Sequence, residues 1–293
     1  CGILEMEKYY HSLPEKEILA SPALMQAMSM LCAMEMDYEK SEQWYEALKQ
    51  FAEQCDRMDA GGRQARSRLA WLDISLPQRE VSGLTDTIPA VFRLLRGKEI
   101  TLPPFSVTST LPSIMNGGKD FSDWSKKDDM LYQVLRIPVE AVLGKDGVGL
   151  ADCAIAESKF EKGEDITHRM LSLVQRAGEI QRNGTPDIEF AVTGLLIRSQ
   201  MASGRSDDAV RTMEQLRTRF AENGLDRFLP NMDAMRCRMD LYVGDLDRAD
   251  DWYREKAPRD EAECDETIPV SYAGYGGVGS WKESRCAAHA VIS

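Results

Sequence analysis

The chain has 293 residues, of which 43% are hydrophobic and 29% charged, with a formal net charge of −12. That length suits a large core or a long array of repeats, and the composition is that of a folded protein. The acidic excess disfavours phosphate-backbone binding, which needs a basic face, and no apolar run reaches the length of a membrane span. The seven cysteines, at 1, 32, 55, 153, 237, 264 and 286, are scattered singly with no C-x-x-C. This spacing predicts reduced thiols in a cytoplasmic protein rather than a disulfide framework. The start, Cys1-Gly2-Ile3-Leu4-Glu5, has neither an initiator Met nor the basic segment of a signal peptide, so a fragment of a longer polypeptide is expected.

In chain order, Ile3 to Leu13 reads as a helix stopped by Pro14. Ser21-Pro22 opens another, with Pro in the first turn. That helix carries Met25, Met28, Met30, Met34 and Met36. Methionine adapts to irregular surfaces, so a promiscuous groove is one reading; a core stripe is favoured. Met36-Asp37-Tyr38 makes a turn, and Ser41, Trp44, Tyr45, Leu48 and Phe51 form the returning helix. Gly61-Gly62 is expected to break the pattern. Ala65 to Ile74 is helical and ends before Pro77, and Thr85 to Arg96 carries Ile88, Val91, Phe92 and Leu95. Leu102 to Gly118, rich in Pro, Ser and Thr, is expected to be an irregular insertion over about 101–119. Asp120 to Leu135 returns to helix, and Pro138 to Leu143 should be a separate short one.

From here a period emerges. Leu150 to Phe160 turns at Gly163 into Ile166 to Gln181; Thr185 and Pro186 open a helix with Phe190, Leu195, Leu196 and Met201 that turns at Gly204. Ser206 is expected to cap the next helix, whose stripe is Ala209, Met213, Leu216 and Phe220, closed by Gly224. Met232, Met235, Met239 and Tyr242 form the following stripe; Gly244 turns the chain, and Ala249, Trp252 and Tyr253 pack back. Gly163, Gly204 and Gly244 are 41 and 40 residues apart, a spacing that marks stacked helix pairs. The small Ser41 three residues before Trp44 matches Ala249 before Trp252. The expected fold class is all-α: a right-handed α-α superhelix, or tetratricopeptide-like solenoid of helical hairpins, over 1–262. The segment 263–293 is glycine-dense and aperiodic. Codons compatible with Asp265–Lys282, read one base later, can spell a helix ending in glycine about one period after Gly244. An irregular tail produced by a frameshift across the next repeat is therefore expected.

Sites of chemistry are thinly supported. Gly274, Gly276 and Gly279 match G-x-G-x-x-G but lack the flanking strand and helix. Asn116-Gly117-Gly118-Lys119 is followed by Asp120, which would repel phosphate. His11, His168 and His289 have no partner at metal-ligand spacing. Asp128-Asp129 and Asp250-Asp251, and the basic Arg63, Arg66 and Arg68, read as solvated helix faces. Ser106 to Ser113 contains no nucleophile elbow. No catalytic, cofactor-binding or metal-binding residue is therefore assigned.

Several segments carry a family likeness: Leu76-Pro77, Leu102-Pro103-Pro104-Phe105-Ser106-Val107-Thr108, Asn116-Gly117-Gly118-Lys119-Asp120-Phe121, Gly147-Val148-Gly149-Leu150, Ala156-Glu157-Ser158 through Phe160-Glu161-Lys162-Gly163, and Gly244 with Ala249 and Trp252. Over about 1–262 the chain resembles the helical arm of MalT-like, LuxR-family transcription regulators. The resemblance implies a non-enzymatic sensor module that binds an inducer or partner protein and is coupled to nucleotide-binding switch and helix-turn-helix domains, which this stretch lacks. It also implies no direct nucleic-acid contact by the arm itself. Two other readings stand beside it: a free-standing helical-repeat adaptor for a protein partner, and an enzyme on a helical toroid with acid, base or metal ligands gathered on one concave face.

Overall fold

A computed structural model describes residues 7–56, 59–79, 83–101, 111–115 and 122–257. The glycine-rich tail, the Asn116–Lys119 motif and most of the 101–119 insertion lie outside them. The regular secondary structure among the described residues is all helical, with no strand. The helices are α1 Glu7–Tyr10, α2 Glu15–Leu19, α3 Pro22–Met34, α4 Tyr38–Gln54, α5 Ala60–Ser75, α6 Leu84–Arg96, α7 Asp128–Leu143, α8 Leu150–Glu161, α9 Thr167–Asn183, α10 Pro186–Ala202, α11 Ser206–Glu222, α12 Leu229–Val243 and α13 Leu246–Glu255. No helix among them is long and apolar enough to cross a membrane.

The chain divides into two compact units, Cys1–Phe105 with Gln133–Gly147, and Ser106–Tyr132 with Val148–Ser293. In the first, α3, α4 and α5 pack on one another around Met25, Met28, Leu31, Leu48, Leu72 and Leu76. The methionines of α3 are thus core, while Met36 beyond the helix end is 61% exposed. In the second, successive helices pair along the chain, α8 with α9, α10 with α11 and α12 with α13. Each pair also meets the next, through α8 on α10, α9 on α10, and α11 on α12. Phe190, Phe220 and Phe228 form a fully buried trio with ring centroids 4.9 to 6.4 Å apart. The Ala209, Met213, Leu216 and Phe220 stripe is buried as its spacing requires.

Helix ends explain the corners. At Gly204 the chain enters the left-handed region (φ +72°), and the Arg205 N–H reaches back to the Gln200 carbonyl at 2.9 Å. This six-to-one bond satisfies a carbonyl that the ending helix would leave bare. The same bond recurs after Gly163, Gly224 and Gly244, and also after two non-glycine residues, Met36 (φ +62°) and Lys98 (φ +58°).

Five local expectations need correction. Gly61 and Gly62 do not break a helix; they lie in the first turn of α5, where the Gly62 N–H donates to the Asp59 cap at 3.0 Å. A Cβ at Gly62 would come 2.7 Å from that of Cys55, so the glycine serves close approach. Pro138 does not start a new helix but sits inside α7. The carbonyl it strips of a partner belongs to Val134, which is 56% exposed, so water can serve it. Ser206 is the first helical residue, after the Arg205 cap, and makes no cap bond. Thr185 is at its expected cap position, but its buried hydroxyl bonds nothing. Tyr242 leaves the α12 stripe and is 68% exposed; Cys237 and Asp240 are buried in that helix instead.

Candidate functional site

The second unit buries charge. Glu157, on α8, is 1% exposed. One carboxylate oxygen, Oε2, accepts the backbone N–H groups of Ile114 (2.7 Å) and Met115 (3.0 Å). The other, Oε1, accepts from Arg198 Nη2 of α10 at 2.5 Å. Arg198 also holds Glu161 and lies over the Phe160 ring, 5.5 Å from its centroid. Three charge-assisted bonds thus converge on this carboxylate, one of them from a guanidinium, and together they offset the cost of holding a charge inside a helical layer. The segment 111–115 is not helical; it is held by Glu157 at one end and by shape at the other. A Cβ on Gly194 of α10 would lie 2.5 Å from the Pro112 Cβ and 3.0 Å from its carbonyl oxygen. Only glycine leaves the notch in which Pro112 rests. Ile114 and Met115 are buried, and Ile114 belongs to the same apolar cluster as Cys153, Ala156, Ala191 and Leu195.

Three further carboxylates repeat the theme. Asp187, in the first turn of α10 and 3% exposed, accepts from Arg227 at 2.8 Å. Burial pushes its carboxyl above the ordinary carboxylate range, against the pull of Arg227. Glu189, one helix position on from Ile188, pairs with Arg219, and burial again raises its proton affinity. Asp152 on α8 is held by Arg176 and by the Tyr132 hydroxyl.

At the α8–α9 corner, Asp128 is not the solvated charge the sequence suggested. It accepts from Ser158 (2.9 Å) and Lys162 (2.6 Å) and faces Lys159. Burial works to raise its proton affinity, but Lys162, Ser158, the Asp129 N–H and Lys159 together hold the carboxyl below its usual range. Asp129 pairs with Lys159 and Arg169.

These residues were missed because Glu and Arg on a helix read as solvent-facing. A signal was present nonetheless. Asp129 and Arg169, Glu157 and Arg198, and Asp187 and Arg227 stand 40, 41 and 40 residues apart. Those are the intervals of the glycine corners, so each acid meets the base one repeat later.

In the first unit the buried polar groups are mostly neutral. Ser29 and Ser41 hydroxyls are 3.3 Å apart, Gln78 donates to Ser41, and the Tyr45 hydroxyl donates to Asp73 at 2.6 Å. Burial, then the Tyr45 bond and Arg79 acting against it, leave Asp73 with a raised proton affinity. The Arg79 guanidinium lies 4.5 Å over the Tyr45 ring and pairs with Glu42. Arg68 also departs from the solvated face expected of it: it bonds Gln26, and burial weakens its hold on its proton.

Cys153 is fully buried, and burial, with Glu157 nearby, lifts its thiol well above the usual range, which suppresses the thiolate. Burial raises Cys32 and Cys237 to about 11. His11 bonds Glu35 at 2.8 Å on the surface, and His168 is exposed. Among the described residues no group of three or more His, Cys, Asp or Glu could hold a metal ion. No family model, curated protein or solved structure matches this chain.

Proposed function

We propose that this chain is a non-enzymatic sensor and interaction module, the tetratricopeptide-like arm of a LuxR/MalT-type regulator. Its helix pairs would stack as a right-handed superhelix whose inner surface receives an inducer or partner protein. One observation carries the reading: in the second unit, left-handed corners and acid–base pairs recur at the same interval of about forty residues. Such a repeat transmits a displacement from one helix pair to the next, because each is held by its neighbours rather than by a separate core. Recognition would then shift the population of a switch domain elsewhere on the polypeptide. The chain by itself should not hydrolyse ATP; turnover above a buffer blank would contradict this.

The shape can be tested by small-angle scattering. A compact globule of this length has a radius of gyration of about 19 Å; a superhelix should give a clearly larger value, and about 19 Å rules it out. The regulator assignment is tested by the flanking DNA, where a phosphate-loop coding sequence upstream and a helix-turn-helix downstream are expected. Intact flanks without either would favour a free-standing adaptor, a reading that the same repeat supports equally well.

A further inference from the structure

The segment 111–115 is bound to α8 and α10 in the way one protein binds a short stretch of another. Its backbone N–H groups at Ile114 and Met115 are taken by a carboxylate, Pro112 fills a glycine notch, and two apolar side chains are buried beyond it. Main-chain bonds supply affinity in such recognition, and side-chain pockets supply selectivity. The receiving groups are also held by contacts outside the segment. Glu157 and Gly194 belong to helices of 12 and 17 residues, and Arg198 is anchored separately by Glu161 and Phe160. We infer that the α8–α10 face is a peptide-binding groove in which residues 111–115 are a resident ligand, displaced by a partner's extended Pro-x-Ile-Met-like segment.

The occupant is defined by the one already seated: a proline, one spacer residue, then two apolar residues whose N–H groups point to one carboxylate. The tethered segment competes at an effective concentration of the order of millimolar. A partner therefore succeeds by binding more tightly or by carrying several such contacts. The inference does not depend on the regulator reading, since any chain with this groove would behave in the same way.

The test uses the full chain and a fluorescent, terminally blocked Leu-Pro-Ser-Ile-Met peptide. In the variant I114D/M115D, two carboxylates placed beside Glu157 expel the resident segment. That chain should bind the peptide at least tenfold more tightly than the unsubstituted protein, and adding E157Q should remove the gain. Equal affinity for both chains, or no binding by a variant that keeps its helical circular dichroism, overturns the proposal. Should the variant lose its helical signal, the unsubstituted protein decides. Millimolar peptide must then accelerate hydrogen exchange at the Ile114 and Met115 amides, and unchanged rates overturn the proposal.

Discussion

Asp37 and Asp245 each cap a helix that follows a left-handed residue, Met36 in the first unit and Gly244 in the second. Each aspartate accepts from the N–H three residues on, Lys40 at 3.1 Å and Arg248 at 3.3 Å. Four residues past each cap is a fully buried small residue, Ser41 or Ala249, followed by Trp-Tyr at 44–45 or 252–253. Across the hairpin, Ser29 faces Ser41, and the Cys237 thiol meets the Ala249 carbonyl at 3.8 Å. Every one of these pairs of positions is offset by the same 208 residues. The corner geometry is thus set by the cap, the left-handed turn and a small residue that lets the helices close. The chemistry inside it is free to vary, hydroxyls in one unit and thiol in the other.

The largest expected effect would break that equivalence at its tightest point. Ser41→Leu and Ala249→Leu should each lower stability by about 2–3 kcal/mol, because both add volume where two helices meet. Denaturant unfolding measures this, and tolerance at one site alone would show that the corners close differently. Next, Ser41→Ala should cost about 1–2 kcal/mol by leaving the buried Ser29 hydroxyl unpaired. The double change Ser29→Cys with Ser41→Ala, which copies the second corner, should recover most of it. No recovery would mean that the hydroxyl network contributes more than local pairing.

The left-handed residue itself is worth about 1–2 kcal/mol when it is not glycine. Met36→Gly should therefore raise the stability of the first unit by up to about 1 kcal/mol, and Gly244→Ala should lower that of the second by about the same. Hydrogen exchange resolves the units separately; opposite signs are expected, and like signs would separate the two turns.

The smallest effect is in pH. Asp73, beside Tyr45, has a raised folded-state value, so the folded chain holds this proton more firmly than the unfolded one. Its contribution is fully present below the unfolded value of 3.8 and is lost as pH rises through the raised value. Asp73→Asn should flatten that part of the first unit's stability profile. Asp128 in the second unit has the opposite sign: its contribution is present above 3.8 and fades as pH falls through its lowered value.

What could be read from sequence follows from how few residue types a position admits. A left-handed corner prefers glycine and a close helix crossing prefers Ala or Ser, so Gly163, Gly204, Gly244, Ser41 and Ala249 stood out. Lys98 makes the same turn invisibly, because lysine seldom adopts a positive φ and its presence therefore signals no such corner. Hydrophobic stripes were legible along the helix middles and failed at the ends, as at Tyr242, where the packed face runs out before the chain turns. The buried charges were the main loss. Glu157 and Asp187 have the composition of a solvated face, yet each is buried against an arginine one repeat later, and Glu157 also takes the Ile114 and Met115 amides.

Charge pairs one repeat apart fasten the helix pairs of the second unit. A double-mutant cycle of Glu157→Gln and Arg198→Met, followed by denaturant unfolding, tests this most directly. Coupling above about 1.5 kcal/mol, with faster exchange at the Ile114 and Met115 amides in both Glu157→Gln chains, is the predicted result. Additive effects within about 0.5 kcal/mol would contradict it.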